Sequence, residues 1–347
     1  MRDKLTTLIK AIISLALIAW VFRRVDLAEV GRLLASANLW MALAALAIYI
    51  GAISANAVKW QILLRAQGIA VPLRALLTYT FVGVFFNNFL PANVGGDVMR
   101  GYGLARYTAR LSEAAVSVIV DRVVGLIAYM SASVVAALVV VNVVEQNQDL
   151  RAVEAAAFAA LAVIAGGFAV VLSRRLRALV ARLFTWRWLA PFAPVYGRIS
   201  DAFGAYRFRY GALVLAFAVA LSGLLLSNLV NWLLAESLGG GIPFLYICLF
   251  NPLIALVLLV PISIGGIGVN QNAYPFFYGL LGVPKGLALT VSLLMQAVIL
   301  ISSLPGGVLW WRLRNQKRLG ESRSRSRPRG RCTMAPTLHT PLITFCA

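Results

Sequence analysis

Six stretches of this chain are apolar for long enough to cross a lipid bilayer as helices, and two more are broken before they can. A spanning helix needs about 20 predominantly apolar residues. Residues 5–22, 39–59, 114–144, 152–172, 211–236 and 287–311 meet that requirement. The runs 75–90 and 244–260 instead stop at a proline followed by a Gly-rich polar stretch. Backbone groups freed by such a break are tolerated at membrane depth only where protein or a water-filled cavity surrounds them. Both runs are therefore read as re-entrant hairpins.

Composition supports this reading. Hydrophobic residues make up 61% of the 347 and charged ones only 13%, which leaves too little polar surface to cover a water-soluble fold. A soluble enzyme and a disordered nucleic-acid binder are excluded. The net charge of +20 is read as topology. If the six runs cross and the hairpins return, the N-terminus, 59–113, 173–210 and the tail share one face. That face carries 25 Lys and Arg, against five (Arg23, Arg24, Arg32, Arg151, Lys285) on the other, with Lys10 and Arg122 inside spans. Such asymmetry places both termini in the cytoplasm. The run 5–22 is expected to remain as a first helix, because charged residues separate it from the small residues Ala35-Ser36-Ala37.

The two breaks match each other. Leu90-Pro91-Ala92-Asn93-Val94-Gly95-Gly96-Asp97 and Val260-Pro261-Ile262-Ser263-Ile264-Gly265-Gly266-Ile267 align proline and both glycines at a constant offset. The order span, span, hairpin, span then occurs twice. Three crossings per unit turn the second unit upside down, the inverted-repeat plan of secondary transporters. The expected fold is an all-α polytopic membrane protein with about six transmembrane helices plus two re-entrant hairpins. Repeat one covers about 1–150 and repeat two about 151–312, followed by a disordered basic cytoplasmic tail at 313–347.

Charge inside the membrane is the sharpest local signal. Asp121 and Arg122 sit within an apolar run, where an unpaired charge costs at least about 2.5 kcal/mol. Asp97 and Arg100 at the first break are natural partners. One reading is a phosphate site, with Arg100 and Arg122 contacting the phosphate and Asp97 or Asp121 holding them, since the planar guanidinium binds two oxygens at once. The other is an ion-pair network that locks the hairpin to its supporting helix. Both can hold together. Gly95-Gly96 and Gly265-Gly266 permit tight turns whose N–H groups could cradle a phosphate. Asn87, Asn88, Asn270 and Gln271 could hydrogen-bond a headgroup or satisfy unwound backbone. Pro91 and Pro261 are given structural roles. Three distant cysteines (Cys248, Cys332, Cys346) and the lone His339 offer no metal-site spacing, so no metal or cofactor is expected. The 173–210 segment, which alternates Arg with apolar residues, Trp186 and Trp188, reads as an interfacial amphipathic helix.

Several of these residues carry a family resemblance. Asn87-Asn88-Phe89-Leu90-Pro91 through Gly95-Gly96-Asp97 and Arg100, then Ser117-Val118-Ile119-Val120-Asp121-Arg122 and Gly125-Leu126, resemble the flippase-like membrane domain family. So do Pro261 through Val269 and Gly282-Val283-Pro284. This family is the transmembrane region of lysylphosphatidylglycerol synthase, and the resemblance covers residues 5–312. It implies a lipid translocase without synthase chemistry, not an enzyme, in a bacterial or archaeal cytoplasmic membrane. The cargo would be an anionic phospholipid, an aminoacyl-phospholipid or a polyprenyl-phosphate-linked lipid. Membrane lipids are the expected partners, with a separate lipid-synthesising enzyme or a second copy of the chain as further ones and no nucleic acid. The family often has Arg-Glu where this chain has Asn270-Gln271, which puts any carboxylate-dependent role of the outer hairpin in doubt. Two alternatives stay open: a secondary transporter with Asp121 as proton or cation carrier, and an accessory subunit of an envelope-lipid pathway. Intramembrane acid–base catalysis has little to work with, since the membrane body lacks histidine.

Overall fold

The computed structural model describes residues 27–88, 95–139, 208–258 and 265–325, with scattered positions from 151 to 166 and Tyr206. The expected span 5–22, most of 152–172, most of the amphipathic 173–210 segment, the turn residues Pro91 and Pro261, and the tail after residue 325 lie outside the described residues. Among the described residues there is no strand.

Among the described residues, four helices are long and apolar enough to cross a membrane: α2 (Leu39–Ala66), α5 (Leu111–Val139), α6 (Tyr210–Ser237) and the Lys285–Arg314 part of α9 (Lys285–Arg325). At 1.5 Å per residue each exceeds the roughly 30 Å hydrocarbon core. Their ends follow local chemistry. Asn38 caps α2, its side-chain oxygen accepting from the amides of Trp40 (3.0 Å) and Met41 (3.3 Å). Gly68, at φ +75°, follows its C-terminus. After α6, Gly239, Gly240 and Gly241 all have positive φ, a turn that side chains with a Cβ would resist.

Between the long helices lie two pairs of short ones. The first break is flanked by α3 (Leu73–Asn87) and α4 (Gly95–Thr108). The second lies between α7 (Phe244–Val257) and α8 (Val269–Gly279). At 15 residues or fewer, each rises about 22 Å at most and cannot cross alone. A short helix, α1 (Leu27–Ser36), precedes α2, and its Glu29 carboxylate lies against Gly286 at the start of α9.

Close packing joins these elements. α2 packs along α6, α3 on α4, and α4 on α5, while α5 also meets α6 and α7. A large apolar core draws residues from α5 to α9 and Ala45 of α2, with the buried rings of Tyr274, Tyr278 and Phe250 among them. A second core gathers Trp60, Leu64, Leu76, Leu104 and Val118 around the first hairpin. Large apolar side chains such as Leu39, Trp40, Val214 and Leu304 stay exposed, as lipid-facing positions do in a helical membrane protein.

The main compact body is Met1–Leu309, and Trp310–Ala347 forms a second unit. In that unit α9 continues to Arg325, past residue 312, where the disordered tail was expected to begin. No proline interrupts the chain between Pro305 and Pro328, so nothing forces the helix to stop there.

Candidate functional site

The first hairpin is built by close approach of backbones. A Cβ on Gly83 would stand 2.8 Å from the Gly96 carbonyl oxygen and 2.7 Å from Arg100 Cγ. Only glycine lets α3 and α4 come this near. The amide of Gly96 donates to Asn87 Oδ1 at 2.7 Å, so Asn87 on one limb satisfies an N–H at the start of the other. This sets the first turn of α4, with Asp97 and Arg100, against α5.

A cavity of about 300 Å³ opens there. Its wall includes Tyr49, Asn56 and Lys59 from α2, Thr80, Gly83 and Asn87 from α3, and Gly96, Asp97 and Arg100 from α4. Asp121, Arg122, Gly125 and Tyr129 come from α5, Gly223 and Ser227 from α6, and Ala255 from α7.

The charges in this wall are wired together. Arg100 Nη2 donates to Asp97 Oδ1 at 2.8 Å and to Asp121 Oδ2 at 3.0 Å. Arg122 Nε donates to Asp97 Oδ2. Lys59 Nζ lies 3.1 Å from Asp121 Oδ1. That last contact is an ion pair without hydrogen-bond alignment, because Oδ1 accepts none and Nζ donates instead to the Asp121 carbonyl at 3.2 Å. Arg100, Asp121 and Lys59 are all buried. The Arg100 guanidinium also sits 5.0 Å over the Trp60 ring, and Trp60 is held by its Nε1–H bond to Ser117 Oγ at 3.1 Å. Arg122 reaches further out, with its side chain 38% exposed.

Two donors in this wall lack a partner. Arg100 Nη1 and Thr80 Oγ1 are buried with no hydrogen bond. A buried polar group left unmet is costly, and here both belong to residues that line a cavity. The arrangement suits an anion that accepts from a guanidinium and a hydroxyl.

Of the residues singled out in the sequence, the structure brings together Asn87, Gly96, Asp97, Arg100, Asp121 and Arg122 in one wall. The others lie elsewhere. Asn88 donates through Nδ2 to Ser303 Oγ at 2.9 Å, tying the first hairpin to α9. Gly265 and Gly266, at φ +60° and +74°, shape the second turn, and a Cβ on Gly265 would lie 3.0 Å from the Asn88 carbonyl oxygen. The two breaks therefore touch, but at their backbones. Gln271 Oε1 accepts from the Gly268 amide at 2.6 Å, which is a cap on α8. Asn270 is buried beside it. Gly95, Asn88, Gly265, Gly266, Asn270 and Gln271 are not among the described residues lining the cavity.

Lys59 escaped the sequence reading, which ended the second span at that residue and counted it as a topological cation. Residues 60–64, Trp-Gln-Ile-Leu-Leu, continue the apolar character past it, and the helix runs on to Ala66. Lys59 and Arg100 thus belong to the buried cluster rather than to an exposed face.

An all-helical multi-pass membrane protein with paired charges buried around a cavity is the class that fold and site define. Residues 7–306 match the family described as Lysylphosphatidylglycerol synthase TM region, and the chain belongs to that family. It is also similar to UPF0104 membrane protein PH1989 of Pyrococcus horikoshii, with 26% identity over 309 residues, covering 84% of this chain and 92% of that protein. No solved structure matches the chain.

Proposed function

We propose that this protein moves a phosphate-bearing lipid between membrane leaflets, the headgroup passing through the charged cavity while the acyl chains stay in the bilayer. The observation that carries this reading is the buried, partly unpartnered Arg100 guanidinium in the wall of a polar cavity between apolar helices. Intramembrane ionisable residues that line a cavity mark substrate pathways. The matched breaks, their backbone contact at Asn88 and Gly265, and the positive-inside asymmetry support six crossings in two inverted repeats with both termini cytoplasmic. Asp121 already holds Lys59 and Arg100, which speaks against its serving as a freely loaded cation carrier.

The test is leaflet exchange of labelled anionic phospholipid and polyprenyl phosphate in proteoliposomes of purified protein. Wild type is expected to accelerate exchange of at least one. Arg122→Gln, at the more exposed edge of the cluster, is expected to slow it about tenfold, equivalent to about 1.4 kcal/mol in the barrier. Absence of exchange for every phosphate lipid would refute translocation, and a wild-type rate in Arg122→Gln would remove the assigned phosphate contact.

A further inference from the structure

We infer that the cavity selects a headgroup whose only charge is its phosphate, and discriminates against one that also carries an amine, such as an aminoacyl ester. This rests on the translocation reading above and narrows its cargo.

The charges on the wall decide it. Among the described lining residues there are three cations, Lys59, Arg100 and Arg122, and two carboxylates, Asp97 and Asp121. Every carboxylate oxygen has a cation against it, although Asp121 Oδ1 accepts no hydrogen bond. Asp97 meets Arg100 through Oδ1 and Arg122 through Oδ2, and Asp121 meets Lys59 through Oδ1 and Arg100 through Oδ2. An incoming ammonium would have to enter beside a cation already at each oxygen, Lys59 at the one that accepts no hydrogen bond, and like charges crowded together in the membrane are expensive. The cluster instead carries one positive charge in excess, and among the described residues its buried unpartnered groups are two donors, Arg100 Nη1 and Thr80 Oγ1, against one acceptor, Asp121 Oδ1, which already faces Lys59. A phosphate monoanion offsets the charge and accepts from both donors. Tyr49 and Tyr129 also line the cavity, but an aromatic ring attracts an ammonium more weakly than a free carboxylate would. The second hairpin supplies no acid, since Asn270 and Gln271 are neutral and lie outside the described wall.

Full-length protein in detergent would be titrated with phosphatidylglycerol and lysyl-phosphatidylglycerol, with bound lipid counted by native mass spectrometry. Inorganic phosphate and glycerol phosphate serve as soluble competitors. The expected result is a Kd for phosphatidylglycerol about tenfold or more below that for the lysyl ester, near 1.4 kcal/mol. Asn56→Asp adds a carboxylate to the wall without touching the existing pairs and brings the cluster to neutrality. It is expected to shrink that ratio several-fold while the melting temperature stays near wild type, and Lys59→Met, which also brings the cluster to neutrality but takes a partner from buried Asp121, is expected to shrink the ratio at a lower melting temperature. The rest of the chain's positive charge is common to all three proteins, so the change in ratio reports the cavity. Equal or tighter binding of the lysyl ester, or a ratio unmoved in both variants, would overturn the inference. Full displacement of lipid by millimolar inorganic phosphate would show that free phosphate, not lipid, is the ligand. Selective binding without leaflet exchange would sink translocation and leave the selectivity standing. Exchange without charge preference would do the reverse.

Discussion

The two hairpins solve the same problem with different chemistry. Each has a proline and two glycines in sequence after a short apolar helix, and each must hold its short helices to their neighbours. In the second, neutral side chains do this. Tyr278 Oη donates to Asn251 Oδ1 at 3.1 Å, Asn251 Nδ2 to Asn228 Oδ1 at 3.1 Å, and Tyr274 Oη to Asn231 Oδ1 at 2.7 Å. These bonds tie α8 to α7 and α6. In the first, Asp97, Arg100, Asp121, Lys59 and Arg122 take that place. Buried ion pairs are poor stabilisers compared with neutral packing, because desolvation offsets most of the Coulomb gain. The second hairpin demonstrates, within the same molecule, that holding such a break does not require charge. That contrast supports the proposal that the charges of the first meet a ligand in the cavity.

The largest expected effect separates the two networks by stability. Asp121→Ala leaves Lys59 and Arg100 buried with one partner fewer, a change expected to cost about 3–5 kcal/mol. Asn251→Ala in the second hairpin removes two neutral hydrogen bonds and should cost about 1–3 kcal/mol. Unfolding in detergent monitored by tryptophan fluorescence would rank them. Lys59→Met combined with Asp121→Asn should recover part of the first loss, since it removes both buried charges. Equal losses from Asp121→Ala and Asn251→Ala would break the contrast between hairpins.

Next in size are the glycines. A Cβ on Gly96 would collide with the Gly83 carbonyl oxygen and come 2.5 Å from Asn87 Oδ1, so Gly96→Ala must push α3 and α4 apart. An overpacked contact of this kind costs about 1–3 kcal/mol, and it should also disturb the cavity. Gly265→Ala meets a left-handed φ of +60° and the Asn88 carbonyl oxygen at 3.0 Å, for about 1–2 kcal/mol. Both lower the melting temperature. Only Gly96→Ala is expected to weaken binding of anionic lipid, and a matching loss in Gly265→Ala would show that the second turn shapes the site.

The long helices α2, α5, α6 and α9 were legible because their signal is length of apolar run, which needs no tertiary knowledge. The second limbs of the hairpins were not. α4 contains Gly95, Gly96, Gly101 and Gly103, a composition with poor helix propensity, and it is helical because α3 and α5 pack against it. α8, with Asn270, Gln271, Asn272 and Pro275 in eleven residues, shows neither a spanning length nor a clear period. At the site, Asp121 and Arg122 stood out as charges within an apolar run, and Asp97 with Arg100 by spacing. Lys59 did not, because a cation taken to sit at the end of a span reads as topology. That Arg100 bridges both acids depends on how α4 crosses α5, which no local pattern encodes.

The smallest effect sharpens the contrast at its neutral end. Gln271 could be a headgroup ligand, as its place after the second Gly-Gly suggested, or the cap that its 2.6 Å bond from the Gly268 amide indicates. Gln271→Ala removes the acceptor and should cost about 1 kcal/mol. Gln271→Glu keeps an acceptor at the helix N-terminus, where a negative charge is favoured. Its burial works against that gain, so the net change should stay within about 0.5 kcal/mol. A cap predicts that melting temperature falls in the alanine variant, is nearly restored in the glutamate variant, and that lipid affinity follows neither. A ligand role predicts that affinity drops in both while stability moves little in either, and that outcome would bring the second hairpin into the site.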